Sequence, residues 1–185
     1  MCYLLVEGAR HTRSHCGYVI RLLAMGLISQ LPYQWALGLN HLNMMFTLSL
    51  CFLLVVVVDS DWPQWAKVIS GLSIAGLSIM CDWSVLAVFF TALFACLKGP
   101  KGTKIAYAGS WLLFFGFELA TYGLSPIGVL QGFAATLGVA ASGFVIIYLY
   151  NGKQRKGNPG RWFYYWFYPL HLIVLALLRW HFFYR

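Results

Sequence analysis

The chain has 185 residues, of which 61% are hydrophobic, 18% aromatic and only 10% charged, and its formal net charge is +8. Its mean hydropathy of +0.72 lies well above that of soluble domains, in which only about half of the residues are apolar. This composition excludes an ordinary soluble enzyme and predicts one integral membrane domain over residues 1–185.

The chain opens with an apolar segment, MCYLLVEGA, that is too short for a bilayer, since a spanning helix needs about 20 residues. We interpret it as the end of a helix whose beginning is missing. Because basic residues follow it, a complete helix would enter from the outer side and would need a further helix before it. The sequence therefore predicts a truncated first helix and an incomplete N-terminus.

The stretch VEGARHTRSHCGYVIR follows and carries the first polar constellation. If it is helical, Glu7 meets Arg10 and His11 one turn later. Arg10, Ser14, Gly17 and Arg21 then share one helical face. A solvated loop with a surface ion pair is an equally good interpretation, but an acid inside an apolar run normally has a buried partner or a function.

Seven apolar runs approach the length of a membrane span, and none shows the alternation of a barrel strand. The predicted fold is thus an all-α, polytopic transmembrane helical bundle of about seven spans plus the truncated first helix. The runs are 16–31, 42–58, 64–80, 84–97, 104–122, 127–150 and 162–183.

Asn40, Asn43 and Thr47 lie on one face at the start of the second run. Their side chains could hydrogen-bond a substrate, or they could cap the helix and hold it to its neighbours, which is the interpretation we favour. Asp82, in the sequence CDWS, is predicted to cap the helix that follows.

The last run contains Tyr164, Tyr168 and His171 on one helical face, together with Pro169. The proline has no N–H to donate and would kink the helix, and the histidine can exchange a proton near neutral pH. This pattern indicates a polar stripe directed into the bundle. The alternative is an interfacial belt of aromatic residues with a structural histidine.

Lysine and arginine concentrate in residues 10–21, 98–104 and 153–161, whereas the turns 32–41, 81–83 and 123–126 contain neither. The positive-inside rule places the basic loops in the cytoplasm, and seven spans alternate around them without conflict. Loop topology accounts for the net charge, so the expected partner is the lipid bilayer and not nucleic acid. The five cysteines are odd in number and unclustered, which indicates neither disulfides nor a metal site.

Five segments, LLVEGARHTRS, RLLAMGLISQLPY, LNMMFTLSL, YNGKQRKG and WFYYWFYPLHLIVL, together resemble the TraX family of bacterial inner-membrane proteins linked to N-terminal acetylation of conjugative pilin. The resemblance implies a multi-pass acetyltransferase that uses acetyl-CoA. Family members begin with a further helix carrying an Asp-His pair, which is missing here. The family's marked residues fall on Glu7, Gly8, His11, Thr12, Arg13, Arg21, Asn43, Thr47, Asp82, Tyr168, Pro169 and His171.

The resulting hypothesis is acetyl transfer from cytosolic acetyl-CoA to an acceptor such as a pilin N-terminus, a sugar or a lipid. We expect His171 to be the base and Tyr168 or Asn43 the oxyanion donor, with Glu7 as a third catalytic residue. The cofactor's phosphates are assigned to Arg10, His11, Arg13 and Arg21, assisted by Lys98, Lys101, Lys104 or the loop 153–161. Substrate contacts are assigned to Asn43, Thr47 and Asp82. The alternatives are a transporter or scaffold, and a pilus or conjugation assembly factor without chemistry of its own.

Overall fold

The computed structural model describes residues 1–150 and 161–183, with side chains from 165 to 182 in the last segment. All of its regular elements in these ranges are helical, which confirms the predicted all-α class. The helices are α1 (Cys2–His11), α2 (His15–Leu37), α3 (Met44–Asp59), α4 (Gln64–Ser78), α5 (Ser84–Cys96), α6 (Gly99–Tyr122), α7 (Pro126–Phe144, closed by a π-helical turn over Val145–Leu149) and α8 (Arg161–Phe183).

Each of the seven predicted runs corresponds to one helix, α2 to α8. The largest difference is in α2, which continues through Pro32 to Leu37 where a turn was predicted. Among the described residues one helix, Pro126–Leu149, is long and apolar enough to cross a membrane, with a mean hydropathy of 1.9. Two other apolar helices, α3 and α5, are shorter, at 16 and 13 residues.

The first polar constellation is not one continuous helix, so the condition under which Arg10 and Arg21 would share a face is not met. Thr12 adopts an extended conformation and ends α1. Ser14 then caps α2, its Oγ accepting a hydrogen bond from the Gly17 N–H at 3.2 Å. Such a cap stabilises a helix start because the first amides have no partner inside the helix. Arg10 and Arg21 therefore lie on different helices and share no helical face.

The chain divides into two compact units, one of Met1–Val88 with Gln154–Arg185 and one of Phe89–Lys153. In the first unit α2 packs along α8, and the two helices run in the same direction. Tyr18 lies within electrostatic reach of Tyr165, Tyr33 packs against Leu172, and Gly38 contacts Arg179. In the second unit α6 packs on α7.

Candidate functional site

A polar cluster forms inside the first unit from side chains of α2, α3, α8 and the α4–α5 connection. We define it as Tyr33, Asn43, Thr47, Asp82 and Tyr168. Tyr33, Asn43 and Thr47 are at most 1% exposed, whereas Asp82 and Tyr168 are partly exposed. The cluster therefore has a buried end and an end that a ligand could reach.

A short backbone ladder places Asp82 beside the start of α3. The Leu42 N–H donates to the Met80 carbonyl at 3.0 Å, and the Asp82 N–H donates to the Leu42 carbonyl at 2.7 Å. This isolated parallel bridge between Leu42 and Cys81 joins segments about 40 residues apart in sequence. Sequence periodicity gives no signal for such a pairing, because two isolated residues form it.

Asn43 is a buried helix cap. Its Oδ1 accepts from the Met45 N–H at 3.0 Å, and its Nδ2 donates to the Gly26 carbonyl of α2 at 2.7 Å. Its own N–H donates to Gln30 Oε1 at 3.1 Å. The favoured interpretation of Asn43 as a cap that holds helices together is confirmed, and its role towards a substrate stays a prediction.

Thr47 links α3 to the α4–α5 connection. Its hydroxyl donates to the Asp82 carbonyl and lies within hydrogen-bonding reach of the Cys81 thiol. Burial raises the pKa of the Cys81 thiol, the Thr47 hydroxyl partly lowers it, and the nearby Asp82 carboxylate raises it again. Cys81 is therefore kept as a neutral thiol beside the cluster.

Tyr33 and Tyr168 direct their hydroxyls towards the Asp82 carboxylate. Both lie within its electrostatic reach, and the Tyr168 hydroxyl also faces the backbone N–H of Met44 at the start of α3. The buried Tyr33 hydroxyl has the Asp82 carboxylate as its hydrogen-bond partner, but the contact falls outside regular hydrogen-bond geometry. A buried hydroxyl without a well-formed hydrogen bond costs up to about 1–3 kcal/mol, so a polar group that enters the cluster would be stabilised there.

The predicted capping role of Asp82 needs correction. Asp82 stands two residues before α5, and its Oδ1 accepts from the Trp83 N–H at 3.0 Å, not from an amide inside the helix. Trp83 itself has a φ of +59°, a left-handed conformation that costs a non-glycine residue about 1–2 kcal/mol. Strain of this kind is often concentrated at functional sites.

His171 lies next to the cluster on α8, which continues through Pro169. Its ring packs edge-on to Tyr168, with centroids 5.3 Å apart, and stacks on Phe167. Nδ1 is 3.0 Å from the Phe167 carbonyl oxygen. A neutral imidazole that donates from Nδ1 to this carbonyl leaves Nε2 as an unprotonated acceptor, which is the form a general base requires.

The charged residues near the N-terminus form a separate group. Glu7 Oε1 lies 3.7 Å from His11 Nδ1, which confirms that predicted pair. Arg10 Nε is bound to Asp59 Oδ2 at 3.3 Å, a partner that was not predicted. A cavity of about 420 Å³ beside this pair is lined by Arg10, His15 and residues from the end of α3.

The remaining predicted phosphate ligands have simpler surroundings. Arg21 lies over the Tyr18 ring, 5.8 Å from its centroid, and Arg13 is exposed. In the second unit Lys104 Nζ lies 5.7 Å from the Tyr148 ring centroid. The basic loop 153–160 and the side chains of Arg161 and Tyr164 lie outside the described residues.

Glu7 and His171, which were both predicted to be catalytic, do not lie in one pocket. Arg10 binds Asp59 at the last residue of α3, whereas the polar cluster surrounds Asn43 at its start. Sixteen residues of helix separate these ends by about 24 Å. In the described residues no hydrogen bond, ion pair or ring contact joins Glu7 to Tyr168 or His171. Glu7 thus belongs with the charged group.

The model for the family described as "TraX protein" matches residues 1–179 of the chain. The chain is also 29% identical to a protein named "Probable fimbrial assembly protein FimC, serogroup H1" from Dichelobacter nodosus. That alignment covers 95% of this chain and 77% of the relative. No solved structure matches the chain.

Proposed function

The chain belongs to the TraX family, and from this premise we propose that it is a multi-pass acetyltransferase of the bacterial cytoplasmic membrane. It would move an acetyl group from cytosolic acetyl-CoA to an acceptor, for which a pilin N-terminus is the first candidate. The observation that carries the proposal is the buried polar cluster, in which the Tyr33 hydroxyl faces Asp82 and lies close to Tyr168, and in which Tyr168 packs against His171. The fimbrial assembly relative supports a role connected with pili.

The membrane arrangement we propose has seven spans, α2 to α8, with the basic loops in the cytoplasm. The first and seventh spans of such a bundle cross in the same direction, and α2 and α8 do run parallel. Alternation then makes α3 run towards the cytoplasm. Its Asp59 end, with Arg10 beside it, would face the cytosol, as a site for a cytosolic cofactor must.

We assign the phosphates of acetyl-CoA to the charged group at this end. Arg10, His11 and Arg13 crowd the end of α1, Arg21 follows on the first turns of α2, and guanidinium offers two parallel N–H donors to phosphate. The cavity beside Arg10 supplies space. The phosphates and the thioester of acetyl-CoA are separated by its long pantetheine arm, so separate sites along α3 fit such a ligand.

The acyl transfer is assigned to the polar cluster. The acceptor nitrogen forms a bond to the thioester carbonyl carbon, the carbon–sulfur bond breaks, and the thiolate that leaves takes up a proton. His171 Nε2 accepts the proton that the acceptor nitrogen loses. The Tyr168 hydroxyl donates to the developing oxyanion, with Asn43 as the alternative donor and Tyr33 as a further one. In a water-poor site each donor is worth roughly 3–4 kcal/mol.

The decisive experiment compares two histidines of α8. His171→Ala should abolish acetylation of a pilin N-terminal peptide by membranes that contain the protein. His181→Ala, an exposed position ten residues further along the same helix, should retain it. Mass spectrometry of the peptide gives the readout, and thermal unfolding in detergent checks that both variants fold. Acetylation retained by a folded His171→Ala variant would remove His171 from the mechanism.

Cofactor binding is tested separately from catalysis. CoA should raise the unfolding temperature in detergent, because a ligand that prefers the folded state stabilises it. Arg13→Glu should erase this shift, while Arg179→Glu, which changes a cation at the opposite end of α2, should preserve it. No shift with the wild-type protein would contradict the acetyl-CoA assignment.

The second candidate is an assembly factor that binds pilin without chemistry, which the name of the Dichelobacter relative favours. Two measurements together separate the two functions. Capture of pilin by the His171→Ala variant, combined with the absence of acetylation in the wild-type protein, would select the assembly factor.

A further inference from the structure

A second, larger cavity lies between the C-terminal parts of α2 and α8, away from the polar cluster. Its volume is about 620 Å³, and its wall is largely apolar, formed by Pro32, Ile173, Ala176 and Leu177. At one end of this wall stands Arg179, the charged side chain among the described residues that line the cavity. The cavity thus joins a long apolar surface to one cation.

Arg179 is fixed by the carbonyl end of α2. Its Nη1 donates to the carbonyl oxygens of Ala36 at 3.3 Å and Trp35 at 3.4 Å. Gly38 makes this approach possible, since a Cβ at that position would lie 2.8 Å from Nη1. Two backbone carbonyls use one nitrogen of the guanidinium, which has five N–H donors in all. The other donors can serve a ligand.

Arg179 has no ion-pair partner in the part of the chain that the structure describes. Neither of the ion pairs found among the described side chains involves it, since they join Arg10 to Asp59 and His11 to Glu7. Backbone carbonyls carry only partial negative charge, so a full anion would bind more strongly. Charge complementarity therefore indicates an anionic group at this end of the cavity.

Two tryptophans indicate the depth in the membrane at which the Arg179 end of the cavity lies. Trp35 and Trp180 flank the cavity and are 67% and 68% exposed. Exposed tryptophans are typical of the membrane–water interface, where their rings meet lipid headgroups. Ile173 lies six residues before Arg179, or about 9 Å along the helix, on the side that leads into the hydrocarbon. A lipid would therefore place its headgroup at Arg179 and its acyl chain against the apolar wall.

We propose that this cavity binds a phospholipid, with its phosphate on Arg179 and one acyl chain along the wall between α2 and α8. The proposal rests on the membrane placement given above and is independent of the acetyl-transfer chemistry. The bound lipid would tie the end of α2 to α8, the two helices that contribute Tyr33 and Tyr168 to the polar cluster.

The test is native mass spectrometry of the detergent-solubilised protein with added phosphatidylglycerol. The wild-type protein should retain the lipid, whereas Arg179→Gln should bind it about tenfold more weakly, the loss expected for one hydrogen bond to a charged group. Lys67→Gln is the matched control, because Lys67 Nζ also donates to a carbonyl near a helix end, that of Val58, yet does not line this cavity. Equal binding by all three proteins would overturn the proposal.

Three further measurements separate the contributions. Ile173→Trp, which fills the cavity while leaving Arg179 in place, should also reduce lipid retention, and a folded variant that retains the lipid fully would contradict the acyl-chain assignment. Diacylglycerol with the same chains should bind more weakly than phosphatidylglycerol, and equal binding would exclude the phosphate contact. Inorganic phosphate should not displace the bound lipid. Displacement would mean that the site binds a simple anion and not a phospholipid. The membrane placement on which the proposal rests is tested separately, by alkaline extraction of membranes, which does not depend on lipid binding.

Discussion

Asn43 shows how a single buried amide can hold two helices together. Its side chain caps α3 and donates to Gly26 of α2. Asn43→Ala should therefore reduce the free energy of unfolding by roughly 2 kcal/mol, through loss of the cap and of a buried hydrogen bond. Unfolding by SDS from mild detergent micelles measures this change.

The control for Asn43 is the exposed cap Ser14, which makes one hydrogen bond, to the Gly17 N–H. Ser14→Ala should cost about 1 kcal/mol or less. Equal losses for the two variants would mean that the Gly26 contact contributes nothing.

Cys81 reports the electrostatics of the polar cluster without any assumption about substrate. Burial raises its pKa, the Thr47 hydroxyl lowers it in part and the Asp82 charge raises it again. The thiolate is the reactive form, so alkylation of Cys81 by iodoacetamide at mildly alkaline pH should be slow. Asp82→Asn should lower the pKa and speed the reaction, whereas Thr47→Val should raise the pKa and slow it.

Exposed Cys16 provides the internal standard for this experiment. Peptide mass spectrometry follows both cysteines in one sample, and the rate at Cys16 should be the same in every variant. A Cys81 rate unchanged by Asp82→Asn would show that the carboxylate does not act on the thiol.

At the scale of helices, two glycines of α7 make a matched pair. A Cβ at Gly143 would lie 3.0 Å from Tyr107 Cδ1 of α6, whereas a Cβ at Gly138 would meet nothing within 4 Å. Gly143→Val should lower the free energy of unfolding by about 1–3 kcal/mol more than Gly138→Val, because only the former overpacks the α6–α7 contact. The helix-propensity cost of valine is the same at both positions of α7, so the difference in SDS unfolding isolates packing. No difference would show that Tyr107 moves aside freely.

The helices themselves could be predicted well, because apolar runs bounded by basic or glycine-rich turns give a strong signal. The misses have local causes. Pro32 suggested an end to α2, yet the helix continues to Leu37. The break between α1 and α2 rests on one serine cap, which cannot be told from a polar residue within a helix.

Part of the polar cluster could also be predicted from the sequence. Thr47, Asp82, Tyr168 and Asn43 stood out as polar groups in apolar surroundings, and the structure does bring them together. Tyr33 was missed because it is a lone tyrosine in a stretch read as a turn, and its partner Asp82 is 49 residues away. Glu7 was expected beside His171 because both are ionisable residues in apolar runs. The contact of Arg10 with Asp59 shows that Glu7, which lies on the same helix as Arg10, is at the other end of α3.

For the whole molecule, the proposed division of labour requires opposite ends of the helices to face opposite compartments. Lys101 and Leu124 mark the two ends of α6, which spans 24 residues or about 36 Å. Seven spans with cytoplasmic basic loops place Lys101 inside and Leu124, which is 84% exposed, outside. If positions 101 and 124 lay on the same side of the membrane, α6 would not cross it, and the proposed arrangement with a cytosolic acetyl-CoA site would be contradicted.

Cysteine labelling tests this topology directly. Leu124→Cys should react with a membrane-impermeant maleimide in intact bacterial spheroplasts, whereas Lys101→Cys should react only after permeabilisation. The exposed natural Cys16 and Cys96 lie near basic loops and should behave like position 101, so they serve as internal controls for membrane integrity. Labelling of positions 101 and 124 from the same side would contradict a spanning α6. Reversed labelling would keep the spans and invert the orientation, so that the charged group beside Arg10 could no longer meet a cytosolic cofactor.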